Sequence, residues 1–429
     1  EVSVSLREEG ALVSSQTETR LSGNQTMQEQ AFYLAERGVE ESIAWLAQSG
    51  SPVIGGGANG GQPVQLFDNI QSSTGTYSAW LDPLDTNNGQ PSRFMAVNVK
   101  AVLDGSGMSR ALRVKLGQQN FSRFAYFTDQ EHNNGGSTIW FITEDEFFGP
   151  VHTNDQLHIY GSPIFHDEVA SGASSVDYWH GGPPQDDPVF DVGLQLNAPY
   201  IPLPLNTDLI KVKGLEADGY YFSANTVEIV LFVDAFDVGK MNVKEGNGAW
   251  TEYDLPVNGV CYVDGRAVLQ GELAGQLTIA SNDDVEIMDN LVYHTDPRVD
   301  PSSTDILGVV AEKNILLDGS PHGPNADVAD ETMMGVFMAL EWSFTAENYG
   351  SGTPRGTLVL YGGLIQQRRG PIGTFSGASG QPLTGWTKDY TFDSRLLDYP
   401  PPAFPTTGVV EKISWEEVET SQDRTANVW

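Results

Sequence analysis

The sequence predicts a mainly β fold in three parts: an N-terminal helix with an antiparallel β-meander, an irregular right-handed parallel β-helix, and an extended Pro-rich C-terminal segment. Three observations predict it. Gly (46) and Pro (24) are abundant in 429 residues while only 19% are charged, which favours turns and strands over helices. A proline-free stretch at the N-terminus carries apolar residues at helical spacing. After Asn120, short apolar segments alternate with Gly, Asn and Asp, and no further helical pattern intervenes. The length suggests two or three units, and the texture places their boundaries at 1–120, 121–385 and 386–429.

The helix comes first. Between about Ser3 and Leu46 there is no proline, and Phe32, Ala35, Val39, Ile43 and Leu46 recur at steps of three and four, which marks one apolar face. Those five residues are the candidate interaction face of the stem, because an apolar stripe must be covered. The stretch upstream, "LVSSQTETRLSGNQTMQEQ", is polar almost all round, so it is expected to project into water or to pack in an assembly. Gly50 and Pro52 should end the helix. "IGGGANGGQP" (Ile54 to Pro63) follows as a loop; its glycines match a dinucleotide fingerprint in spacing only, since a helix precedes them and polar chain follows.

Met95, Val97, Val99, Ala101 and Leu103 alternate with more polar residues, and so do Leu112, Val114 and Leu116, with a turn at Asp104 to Gly107. With "TYSAWL" (Thr76 to Leu81) they form a meander able to cover the helix stripe. The body beyond is clearest in "GVCYVDGRAVLQGELAGQLTIASNDDVEIMDNLVYHTD" (Gly259 to Asp296), whose short segments suit the coils of a parallel β-helix, each stacking its inward Val, Ile and Leu on the next. No strict repeat period is visible, and a β-sandwich is the alternative. Pro400, Pro401, Pro402 and Pro405 exclude helix or internal strand there and predict extended chain over the surface, packing on the β domain, with a short edge element or tail after it.

Composition also limits function. A net charge of −34 repels phosphate backbones and anionic lipid headgroups, so nucleic acid is not expected as a partner. The single cysteine, Cys261, sits among alternating apolar residues and reads as core; it excludes an intrachain disulfide and a cysteine zinc cluster. No run of about 18 apolar residues that could span a membrane occurs. There is no Gly-x-Ser-x-Gly elbow, phosphate-binding loop or His-Glu-x-x-His helix, and no catalytic residue is assigned.

Three constellations stand out nonetheless. His152, His158, His166 and His180 fall close together, and the first three could share one side of extended chain as metal ligands; surface and turn histidines are far commoner than ligands, so no metal is assigned. Carboxylates gather at Asp283, Asp284, Glu286 and Asp289 and at Asp296, Asp300 and Asp305, with Arg266 and Arg298 near in sequence. Calcium is the cofactor such groups suit, although solvated loops account for the same residues. Trp140, Tyr178, Trp179, Trp250 and Trp342 could stack on sugar rings or serve as core.

The opening stretch also carries a resemblance. "TETRLSGNQTMQEQAFYLAERGVEESIAWL" (Thr17 to Leu46) resembles the region just after the membrane segment of PilX-type pilus-assembly proteins and related pilin-like secretion subunits, which share an Arg, a Gly-Asn and an Ala-Phe-x-x-Ala-Glu-x-Gly-Val-Glu run. "FGPVHTNDQLHIYGSPIFHDEVASG", "GVCYVDGRAVLQGELAGQLTIAS", "LGVVAEKNILL" and "YGGLIQQRRGPIG", followed by "YTFDSRLLDYPPPAFP", in that order, look like the large uncharacterised domain that some bacteria attach to such a stem. The resemblance implies a non-enzymatic, minor-pilin-like subunit of a type IV pilus or type II secretion-like fibre at the cell envelope. Its partners would be other pilin-like subunits, and an apolar helix upstream of Glu1 would hold it in the inner membrane. The other readings are a surface adhesin or carbohydrate-binding module that takes a glycan, and a calcium-dependent polysaccharide lyase.

Overall fold

The computed structural model describes residues 2–47, 64–83, 94–317, 330–376 and 381–418, with side chains from Thr17 onward except that of Pro83. Gly50 and Pro52, the Gly-rich segment 54–63 and the tail beyond Val418 lie outside the described residues. The protein is mainly β, and its N-terminal helix is followed by an antiparallel sheet.

Helix α1 (Val2–Leu46) contains 45 residues, about 67 Å at a rise of 1.5 Å per residue. Its two parts differ in environment. From Thr17 to Gln30 every side chain is exposed except the half-buried Met27, whereas Ala31, Leu34, Ala35, Val39, Ser42 and Leu46 are buried. They pack on four strands, β1 (Val64–Gln71), β2 (Gly75–Pro83), β3 (Phe94–Leu103) and β4 (Ser109–Asn120), paired antiparallel in sequence order. Met95, Val97, Val99, Ala101 and Leu103 of β3 and Leu112, Val114 and Leu116 of β4 form the sheet's side of this core, as their alternation predicts. Gly105 and Gly107 take φ of 75° and 66° in the expected β3–β4 turn, a conformation that glycine adopts without strain.

The sheet has a fifth strand from the other end of the chain. Thr406–Val418 pairs antiparallel with β4, and Trp415 meets Phe32 of α1 edge-on at 5.9 Å between ring centres. The expected C-terminal segment 386–429 therefore divides. Pro382–Thr391 is a strand alongside Pro354–Arg368, residues 392–404 pack on the β body, and 406–418 covers the edge that β4 would otherwise leave open. Pro400, Pro401 and Pro402 are buried in that packing. Proline has no N–H to strand, so such a run can press on a sheet without leaving a donor unpaired.

The body is built from stacked parallel strands. One ladder runs through Tyr220–Phe222, Val260–Val263, Gln276–Ser281, Ile306–Ala311, Glu331–Ala339 and Pro354–Arg368, and then continues into Tyr126–Gln130, Val151–Thr153, Val169–Ser171 and Leu194–Leu196. A second joins Thr226–Val233, Arg266–Leu273, Val285–Tyr293, Ile315–Leu317 and Phe344–Ala346. Register stacks like on like: Cys261, Ile279, Val309, Phe337, Leu364, Tyr126, Val151 and Val169 form one buried column. This pattern is compatible with an irregular parallel β-helix. Both faces of the first ladder are covered, the outer one by Phe121, Phe124, Leu203, Ile210, Leu396 and Phe404, which explains its continuous apolar runs.

The order of coils is the surprise. The chain lays coils outward from Tyr126–Gln130 to Leu194–Leu196, returns through a connection bearing the helix Asp208–Gly214, and builds back from Tyr220–Phe222 until Pro354–Arg368 meets Tyr126–Gln130. The body is thus sealed at a seam where its first rung pairs with one of its last.

Candidate functional site

The seam has a buried polar network. Pairing of Leu364↔Tyr126 and Arg368↔Gln130 brings Arg369 against Glu131, with Nη1 donating to Oε2 at 3.1 Å and to the Ile139 carbonyl at 3.3 Å. The guanidinium lies 3.9 Å from the centre of the Phe141 ring, a cation–π contact away from water. Asp145 accepts from Lys388 Nζ at 2.9 Å and from the Ile142 N–H at 3.0 Å, and Arg369 Nη2 is 3.6 Å from it. Gln366 Nε2 donates to Tyr126 Oη at 3.1 Å. Burial pushes the Tyr126 and Tyr390 phenols upward, so both stay neutral hydrogen-bonding groups.

Above this network lies a cavity of about 710 Å³, lined by Trp140, Tyr160, Trp179, Phe375, Thr374, Lys388, Tyr390 and Arg369 among others. That volume falls within the range that holds small organic ligands. Trp140 and Trp179 meet edge to face at 5.1 Å, and Tyr160 meets Trp179 at 5.9 Å. The wall is aromatic and partly open, with Trp179 58% exposed, while the charges Arg369, Glu131, Asp145 and Lys388 engage one another. Such a surface suits a ligand with apolar faces and hydroxyl edges better than an ion.

Of the five aromatic residues singled out in the sequence, Trp140 and Trp179 come together here. Tyr178 packs half-buried against the core; Trp250 lies beside Lys244 and Trp342 beneath Arg368, both away from the cavity lining. Tyr160 was missed because a lone Tyr in a short segment carries no signal until neighbouring coils stack.

The histidines are not on one side of extended chain. His152 lies in the first ladder, stacked on Phe127 at 5.1 Å; His158 belongs to one short ladder, His166 follows the strand Ile164–Phe165 of another, and His180 follows a further rung. Turns between them re-aim the chain, so the alternation of a single strand does not apply. Each has its own partner: Asn154 for His152, Asp177 for His158, Glu146 and Asp191 for His166, Asp186 for His180. Burial lowers the His152 pKa, and hydrogen bonds to Glu146 and then Asp191 raise that of His166.

The carboxylates likewise have separate partners. Asp283 pairs with Lys313, Glu286 with Arg266 and Asp296 with Arg298, while Asp284, Asp300 and Asp305 accept from turn N–H groups. Cys261 is fully buried, and burial pushes its thiol up to about 12. The stem face also has its partner in place: Ala35, Val39 and Leu46 are buried against the chain's own sheet, with Phe32 and Ile43 on the flanks of that contact. As a free face for other molecules, that stripe is therefore taken.

A family model described as a domain of unknown function (DUF4900) matches residues 86–174, from the meander into the first coils. The chain is similar to the crystal structure of the competence-associated pilin ComZ from Thermus thermophilus, with 12% identity and a TM-score of 0.32 over 91% of this chain and 97% of that one. No curated protein matches. Among the described residues, no helix is long and apolar enough to cross a membrane.

Proposed function

We propose that this chain is a non-enzymatic structural subunit of the minor-pilin kind, belonging to a type IV pilus or a type II secretion-like fibre and holding an acidic β body outward from the cell envelope. The observation that carries this reading is the division of α1. Its C-terminal part is anchored on the sheet from Ala31 to Leu46, whereas Thr17 to Gln30, apart from the half-buried Met27, stays solvent-facing, with Leu21 63% exposed. A helix segment polar all round has little reason to be ordered alone in water and gains from neighbouring helices. The charge of −34 fits a displayed, soluble body rather than one bound to nucleic acid. Fractionation of the native cells tests the reading: recovery with the envelope or sheared fibres is expected, and recovery in the cytosol would overturn it.

The aromatic cavity favours a second reading, that the displayed body binds a glycan. Trp179, exposed at the wall, is the residue to change. Glycan-array binding abolished by Trp179→Ala supports this reading, and a blank across diverse glycans removes it.

A further inference from the structure

Beside the cavity, His132, Asp155 and His158 converge: one ligand atom from each lies within 4.8 Å of the other two. They come from separate turns of chain. His132 follows the strand Tyr126–Gln130, Asp155 follows Val151–Thr153, and His158 opens the strand His158–Tyr160. The pairing Thr128↔Thr153 aligns the first two turns, so His132 Nδ1 comes 3.3 Å from Asp155 Oδ2. The Glu131 N–H fixes that carboxylate by donating to Oδ2 at 3.0 Å. The rings of His132 and His158 meet edge to face at 5.6 Å.

A His–Asp ion pair would explain His132 and Asp155, but it does not explain His158. That residue is only 6% exposed, and its Nδ1 lies 2.9 Å from Asp177 Oδ2. A carboxylate accepts here, so Nδ1 is the donor, and in the neutral imidazole Nε2 presents its lone pair. Nε2 is buried and has no hydrogen-bond partner among the described residues. Buried polar atoms are rarely left so. Carboxylate on one imidazole nitrogen and an unshared lone pair on the other is the arrangement by which proteins orient a metal-ligating histidine.

We propose that His132, Asp155 and His158 bind one divalent ion of the zinc class, with Asp177 as the residue that orients His158. Two imidazoles and one carboxylate suit such an ion; calcium prefers an all-oxygen shell. The site adjoins the aromatic cavity through Trp140, whose ring centre is 5.3 Å from that of His158.

The test uses the untagged full chain and Zn²⁺ alone. Calorimetry should show one specific site that excess Ca²⁺ does not displace, and Co²⁺ in its place should give the visible absorption of a nitrogen-ligated ion. His132→Ala should abolish that site. Asp177→Asn, at a half-exposed position, should weaken it by about tenfold to a hundredfold, with metal-free melting curves checking that both variants stay folded. Absence of a specific Zn²⁺ site, or Zn²⁺ affinity and Co²⁺ spectrum unchanged in folded His132→Ala, would overturn the proposal and leave a histidine–aspartate ion pair only.

Discussion

Arg369 and Glu131 form a buried ion pair at 3.1 Å, although one follows the strand Pro354–Arg368 and the other follows Tyr126–Gln130. Their contact seals the seam between two runs of coils. Removing one partner strands the other charge away from water, at about 3–5 kcal/mol. Arg369→Met should be the worse of the two single changes, because it also takes a cation from Asp145. The expected result is a lowered urea midpoint for Arg369→Met and Glu131→Gln, with the double variant losing less than the sum of the two. Additive losses would show that the pair is not coupled.

Gly38 sets how closely α1 approaches the sheet. A Cβ there would lie 2.6 Å from Val99 Cγ1 and 2.9 Å from Tyr77 Cδ2, whereas at Gly23 nothing lies within 4 Å. Helix propensity alone would favour alanine at either position by about 1 kcal/mol. Gly23→Ala should therefore keep or raise thermal stability, and Gly38→Ala should lower it, since overpacking costs about 1–3 kcal/mol. Calorimetric melting of the two variants checks the contrast.

His166 links three successive coils through Glu146 at 2.8 Å and Asp191 at 2.6 Å, with Phe148 stacked on its ring. Both carboxylates favour the imidazolium, so its folded pKa lies above the ordinary value. A raised pKa stabilises the fold fully below the unfolded value, near pH 6.5, and that contribution fades as pH rises through the folded pKa. NMR titration should find His166 above the ordinary value, and the stability gap between wild type and His166→Gln should shrink from pH 6 to pH 8.

Cys261 should be inert in the native protein. Its thiol is raised to about 12 by burial in the stacked core, so almost no thiolate is present at neutral pH. A thiol reagent is expected to react only on unfolding in denaturant; prompt reaction in buffer would show that the core column opens.

Local patterns were legible, and non-local pairings were not. The α1 stripe appeared through its period, yet Ala31 and Ser42 are buried more deeply than Phe32 and Ile43. Small residues give a weak hydrophobic signal, and they sit deepest because Gly38 draws the helix onto Val99. Apolar coil segments were readable, but the steps from Cys261 to Ile279 to Val309 are unequal, so no period marked their stacking. Nothing local announces that Leu364 pairs with Tyr126 or that Thr406–Val418 returns to β4. The histidine cluster misled for the same reason: turns dispersed it, while stacking joined His158 to His132, which stands well upstream.

On the proposed function, the exposed part of α1 is expected to meet other pilin-like subunits. The most direct test is a photo-crosslinking residue at Leu21, 63% exposed on that segment, introduced in the native cells, with adducts identified by mass spectrometry. Adducts to pilin-like subunits or to other copies of this chain in the envelope fraction are the predicted result. A protein that stays uncrosslinked at Leu21 while present in the envelope at normal levels would contradict the account.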